Sequence, residues 1–430
     1  MYKGHSSPGM RDFTILWATQ TLSALGSAMT SFALVLWSYG QSGSAVVTAL
    51  LSVSSYAPYV LMSLFAGALI DRLDKKRVML ICDLFAALTT LAVLALLRAG
   101  RLEIAHLYLL NALNGWMNTL QQPASDVAVS LLVPRERYQR ASAMQALGSA
   151  LRSVFAPVLA SALYALAGLE AVIFFDLGTC AVAIAALGIF VRIPAGPRSA
   201  GKEPALRAAR EGLRFLGANR GVLHLILFLS AINLIASMYN AALPALVIPV
   251  GGDAALGMVN AFSGAAMLAG GAFASLRGAP KSRVRVIQNA LMLAMSTENL
   301  ILAVGRTPPV WCLGAVLGWV SIPAMNANLD AILRLNIPID MQARVYAARN
   351  ALQFCTIPVG YLLGGWLVDG ICTPLMARLG DGSPLAKLLG AHAGNGAALL
   401  FLGLALAGTL VCLIFRRDRH IWALEKKEKT

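Results

Sequence analysis

Of the ionisable residues inside long apolar stretches of this chain, five are candidates to pair or to carry a proton: Asp126, Arg152, Glu298, Asp330 and Arg349. A charge in such surroundings needs a partner or water. Asp126 and Asp330 each lie eight positions before a proline, Pro134 and Pro338. At ~1.5 Å per residue that places each carboxylate about 12 Å inside its helix. The pairs within expected reach are Asp126 with Arg152 and Asp330 with Arg349. Arginine does not release its proton, so the aspartate is the titrating member. Such a pair is either a static salt bridge between two helices or a carboxylate that alternates between a guanidinium and a proton. The second is the chemistry of exchanging H⁺ for a solute, and Asp126 is its favoured carrier, with Arg152 setting its affinity. Glu298 is a further proton candidate. Asp176 is expected near one membrane surface.

Polar side chains recur in the same stretches at helical spacing. Asn111, Asn114, Asn118, Gln122 and Asp126 follow at steps of three or four and share one face. Shorter stripes are Gln20, Ser23, Ser27 and Thr30; Asn233, Ser237 and Asn240; and Trp319, Asn326 and Asp330. One reading is helix-to-helix hydrogen bonding, at only ~0.6 kcal/mol per contact. The other is a wetted path for a small-molecule substrate. Taken as a set the stripes favour the path, because such side chains do not face lipid.

The elements that must carry these residues follow from composition. Of 430 residues, 58% are hydrophobic and 13% charged, with a mean hydropathy of +0.70. That is too little charge to cover a soluble surface. The apolar residues come in blocks of about 18 to 28, the length one helix needs to cross ~30 Å of hydrocarbon. In lipid each segment must satisfy its own backbone, so the blocks are helices. Twelve are expected, near 13–39, 45–70, 78–97, 105–133, 142–168, 171–191, 222–249, 254–276, 286–304, 310–333, 345–370 and 395–415. The first is too long for a signal peptide and is expected to stay as an anchor. Between the last two, Pro384–Leu389 reads as a short interfacial helix.

The basic residues set the orientation. About 28 of the 35 Lys and Arg fall on loops that share a side with the N-terminus, and about five fall opposite. The positive-inside rule then puts both termini in the cytoplasm. The net charge of +15 is thus a topology signal and does not point to nucleic acid. The segment 192–221 is rich in Pro, Gly and charge, then turns amphipathic at Glu211–Leu216. It reads as a cytoplasmic linker with a surface helix between domains 1–191 and 222–430. The halves echo each other: Gly67-Ala-Leu-Ile and Gly271-Ala-Phe-Ala, Asp126 and Asp330, Pro157 and Pro358. The predicted fold is an all-α polytopic membrane protein of about twelve helices in two pseudo-symmetric six-helix bundles. A duplication of this kind implies a binding site between the halves near mid-membrane.

The turn Gly67-Ala-Leu-Ile-Asp71-Arg72-Leu-Asp-Lys75-Lys76-Arg77 resembles the signature loop of the major facilitator superfamily, with Asp74 where that pattern has glycine. The resemblance implies that Gly67, Asp71, Arg72, Lys75, Lys76 and Arg77 form a conformational latch. The opening Arg-Asp-Phe-Thr-Ile-Leu-Trp, the Asp83 that follows the loop, Pro-Arg-Glu-Arg after the fourth span, and Gln342-Ala-Arg344-Val look like one branch. That branch holds macrolide efflux pumps and the enterobactin exporter. It implies proton-coupled export of drug-like or siderophore-like molecules across a bacterial inner membrane by a monomer. It also implies that spans one, four, seven and ten line the cavity, through Gln20, Ser27, Asn111, Asn114, Asn118, Gln122, Asn233, Asn240, Trp319 and Asn326. The antiporter motif of the fifth span is degraded: Ala156-Pro157 replaces Gly-Pro, and Ala160-Ser161 replaces paired glycines.

A lysophospholipid flippase or a nutrient importer on the same fold is the nearest alternative. Outside transport, the alternative is a membrane receptor or scaffold, but no loop is large enough for a sensing domain. An ATP-driven pump lacks its Gly-x-x-x-x-Gly-Lys-Ser/Thr loop. No nucleophile–base set suggests an enzyme. The six cysteines are scattered without CxxC or Cys/His spacing, so neither a metal nor a cofactor is expected.

Overall fold

The computed structural model describes residues 10–70, 73–134, 137–194, 205–276, 280–338, 341–380, 382–390 and 392–425. All regular structure among them is helical. The first elements are α1 (Met10–Ser42), α2 (Ala45–Ile70), α3 (Lys75–Arg98), α4 (Ile104–Leu132) and α5 (Tyr138–Ile189), then α6 (Ala205–Ala218), α7 (Arg220–Leu276), α8 (Arg283–Leu293) and α9 (Asn299–Val304). They continue with α10 (Pro308–Trp319), α11 (Ile322–Asn336), α12 (Gln342–Phe354), α13 (Thr356–Leu367), α14 (Thr373–Leu379), α15 (Pro384–Leu389), α16 (Asn395–Arg416) and α17 (Arg419–Ala423). Single π-turns at Ala294–Glu298 and Val368–Cys372 join α8 to α9 and α13 to α14.

Among the described residues nine helical tracts are long and apolar enough to cross a membrane. Their outer surfaces carry large apolar side chains: Leu61, Leu166, Ile189 and Leu406 are each more than two-thirds exposed. In water such a surface would aggregate, and in lipid it is solvated. The chain is an all-α integral membrane protein. Two tracts, Leu147–Ile189 with 43 residues and Arg220–Ala274 with 55, run to about 65 and 80 Å, against ~30 Å of hydrocarbon. Each holds one residue off helical geometry, Gly168 (φ 74°, ψ −176°) and Gly252 (φ 71°, ψ −178°). That backbone region is open almost only to glycine. The limits expected from sequence, 168 against 171 and 249 against 254, fall at these breaks. The tract α4 is not among the nine, because its Asn and Gln stripe lowers its hydropathy.

The chain divides into two compact units: Met1–Leu34 with Ala57–Pro204, and Val35–Tyr56 with Ala205–Thr430. The boundary near 204 lies inside the 192–221 segment read as a linker, and α6 packs on α7 and α12 of the second unit. The end of α1 and the start of α2 group with the second unit, which the sequence did not suggest. In the first unit, Phe13 and Leu16 meet Val78, Met79 and Cys82 of α3 over Ala124, Ala128 and Leu132 of α4. Small residues four apart on α4 let its neighbours approach closely. In the second unit, α7 packs against α10, α13 and α16, with Phe228 stacked on Phe415 and Tyr239 edge-on to Phe401. Trp311 is fully buried and its indole donates to the Gly305 carbonyl at 3.1 Å. The C-terminal segment folds back: the Glu425 carboxylate accepts from the Val284 amide at 2.6 Å and so caps α8.

Candidate functional site

Glu298 is the most buried carboxylate of the second unit among the described residues, with 4% of its surface exposed. It ends the π-turn between α8 and α9. A π-turn inserts one residue into the helical ladder and re-aims the side chains that follow, a device common at functional sites. Here it aims the carboxylate between α7 and α10. The Trp319 indole donates to Oε1 at 3.1 Å, and Tyr239 lines the same cavity as the carboxyl. Gly318 leaves the space the carboxylate fills, since a Cβ there would overlap Oε2. No Lys or Arg among the described residues pairs with it. Beside it lies a cavity of about 30 Å³, lined by Tyr239, Asn240, Met295, Asn299 and Trp319 among others, enough for one or two waters. An ionised carboxylate with one neutral donor and no cation is costly in such a place. Taking up a proton removes that cost, so the arrangement suits a group that gains and loses H⁺.

The first unit buries two further acids. Asp83 of α3 accepts from Gln20 Nε2 at 2.8 Å and from Gln121 Nε2 at 2.5 Å. Asp176 of α5 accepts from Ser27 Oγ at 3.0 Å and Thr90 Oγ1 at 3.4 Å. It is 3% exposed and takes its partners from α1 and α3. The clue to both was an acid inside an apolar block. Their partners lie 38 to 149 residues away in sequence, beyond the reach of any spacing rule.

The predicted residues divide. Asp126 and Arg152 are both exposed, and no ion pair joins them among the described residues. The expectation of that pair is corrected: Gln122, one turn back on α4, donates to Asp126 at 3.1 Å instead. Asp330 and Arg349 do approach, at 3.9 Å, while Gln353 also holds the Arg349 guanidinium at 3.0 Å. Gln20, Ser27 and Trp319 each serve a buried acid, as above. Asn114 accepts from Thr89 at 3.0 Å, and Asn233 donates to the Gln353 carbonyl at 3.1 Å. Asn111 is half-buried. Asn118, Gln122, Asn240 and Asn326 are exposed. Of the loop, Asp71 and Arg72 lie outside the described residues, and Gly67 lies in the last turn of α2. Lys75 donates to the Leu73 carbonyl at 3.0 Å. Lys76 donates to the carbonyls of Gly188 and Val191 at 2.9 and 2.8 Å, a cation on the negative end of α5. Asp74 accepts from the Arg77 amide at 2.8 Å and caps α3.

Comparison with known proteins agrees with this architecture. Residues 16–354 match the family described as the Major Facilitator Superfamily. Macrolide efflux protein A of Streptococcus pyogenes is 24% identical over 366 residues, covering 84% of this chain and 90% of that protein. The enterobactin exporter EntS of Escherichia coli O127:H6 is 27% identical over 368 residues, covering 82% and 80%. The crystal structure of the nucleoside transporter NupG superposes with a TM-score of 0.67 at 13% identity, covering 95% of this chain and all of that one. At that identity the likeness speaks for the fold alone.

Proposed function

We propose that this chain, which belongs to the Major Facilitator Superfamily, exports small amphipathic molecules in exchange for protons, and that Glu298 carries the proton. Secondary active transport by alternating access comes with the family, and the chain is related to the macrolide efflux and enterobactin exporter branch. Export, the drug-like or siderophore-like substrate and the proton are our reading. So is the count of twelve spans, which follows if the two overlong tracts each cross twice and α4 crosses once. Two six-helix bundles, a working monomer and cytoplasmic termini in a bacterial inner membrane belong to the same reading, and the basic-residue asymmetry supports the orientation.

The observation that carries the proposal is the setting of Glu298. It is buried, it has one neutral donor and no cationic partner among the described residues, and a water-sized cavity adjoins it. Asn240 lines that cavity and is itself exposed, which gives protons a way in. When the carboxyl is neutral, its setting is relaxed. When it is charged, Trp319 holds it, and the residual cost drives it to take a proton from whichever side is open. The exposed stripes Asn118–Gln122–Asp126 on α4 and Asn326–Asp330 on α11 serve the solute. The 3.9 Å contact of Asp330 with Arg349 supports a second reading, in which that pair carries the proton.

The test uses purified protein in liposomes with an imposed pH gradient, screened against macrolides, catecholate siderophores and lysophospholipids. Glu298→Gln is expected to abolish gradient-driven accumulation and retain downhill exchange. A Glu298→Gln protein that still concentrates substrate would shift the role to Asp330.

A further inference from the structure

The end of α1 and the start of α2 are held by a single acid from α13 and its π-turn. Asp369 accepts from Ser44 Oγ at 2.6 Å, from the Val46 amide at 2.9 Å and from the Ala45 amide at 3.3 Å. It thereby satisfies the free amides at the positive end of α2. Three residues on one face of this helix make the contact, at steps of four. Tyr361 stacks on Tyr56, with ring centroids 6.2 Å apart. Gly365 lies so close that a Cβ would sit 2.8 Å from the Val46 Cα and 3.1 Å from the Ala49 Cβ. Asp369 closes the row. It sits in the π-turn Val368–Cys372, and such a turn marks a place where the helix is adapted to function. The sequence from Gly365 to Asp369, Gly-Trp-Leu-Val-Asp, repeats the Gly-x-x-x-Asp spacing of Gly67 to Asp71.

This contact lies wholly within the second unit, yet the helices it holds, α1 and α2, each lie partly in the first. Both α1 and α2 pass from the first unit to the second, at 34/35 and 56/57. A transporter that alternates must move its units. Residues 35–56 then either leave the second unit or force α1 to bend where it has neither proline nor glycine, since α2 carries Pro58 beside its own crossing point. Leaving costs one capped helix end and a glycine-sized seam. Bending breaks helical hydrogen bonds in lipid, where nothing replaces them.

We propose that Asp369, closing on Ser44 and the first amides of α2, is a releasable latch that fastens residues 35–56 to the second unit in one conformation and frees them in another. The proposal uses alternating access alone and is independent of Glu298 and of the substrate.

Paired nitroxide labels test it without a substrate. Gln41 and Arg378 are both exposed and both in the second unit. They are replaced by labelled cysteines in a Cys355→Ser background, since Cys355 is the exposed cysteine among the described residues. Pulsed electron paramagnetic resonance on full-length protein in nanodiscs then reads their separation. Asp369→Ala is expected to add or enlarge a population longer by about 5 Å or more, the scale of a one-turn shift. Asp369→Asn keeps a capping oxygen and is expected to restore the parent distribution. A distribution in Asp369→Ala that matches the parent would overturn the latch, because the seam then holds without it. Loss of helix content or of thermal stability in Asp369→Ala would overturn it as well, because the residue would then belong to the fold.

Discussion

A carboxylate's role here depends on what encloses it more than on its place in the sequence. Glu298, Asp126 and Asp330 all read alike in the chain, as acids in apolar blocks. The structure separates them by exposure and by donors. Glu298 draws on Trp319, 21 residues on, and shares its cavity with Tyr239 from α7, and only packing brings these together. Asp126, favoured from its stripe, is exposed and has a partner from its own helix. Spacing shows which residues share a face but not what that face meets, so the acids were legible and their partners were not. The space for Glu298 depends on Gly318. Gly318→Ala would drive a methyl into the carboxylate, so gradient-driven transport is expected to fall at least tenfold while membrane insertion is retained. Transport assays on matched amounts of inserted protein check this, and a mutant with parental rates would mean that the carboxylate is not held as described.

Helices carry most of what the sequence made plain. Block lengths and turn residues gave the span limits, and the breaks at Gly168 and Gly252 fall where the blocks end. The π-turns were not legible, because moving a hydrogen bond by one residue leaves no mark in composition. Asp74, a departure from the family's loop pattern, has a structural use as the cap of α3. Gly252 has the stricter requirement, since its φ of 71° with ψ of −178° is costly for any side chain. Gly252→Ala is expected to destabilise by ~1–3 kcal/mol, read as a lower midpoint of thermal unfolding in detergent. An unchanged midpoint would mean that the two parts of α7 do not need that turn. At the C-terminal end, Asp418 caps α17 and meets His224 at 2.6 Å. Partial burial would raise its pKa, but the hydrogen bonds from His224 and the His420 amide outweigh that and hold it below the ordinary aspartate range. An acid with a depressed folded pKa stabilises above its unfolded value of about 4 and loses that contribution as pH falls through the folded value. Asp418→Asn is therefore expected to unfold more readily than the parent at pH 7, with the gap closing toward pH 3. A gap that persists in acid would assign the effect to packing.

At the scale of the molecule, composition and block length were enough to read a polytopic helical membrane protein, the resemblance of the Gly67–Arg77 loop added a transporter, and family membership agrees. The grouping of residues 35–56 with the second unit was hidden, because membership of a unit follows from packing and not from order along the chain. What joins the scales is the claim that solute moves against protons through an acid in the second unit. That claim is tested most directly by reading the protons themselves. Liposomes containing the protein and a trapped pH dye, with no imposed pH gradient, receive an inward gradient of the substrate identified by the screen. The account predicts that substrate entry drives H⁺ out and the lumen turns alkaline, and that Glu298→Gln carries the substrate with no pH change. Substrate entry in the parent protein without a lumenal pH change, or an equal pH change in Glu298→Gln, would contradict it.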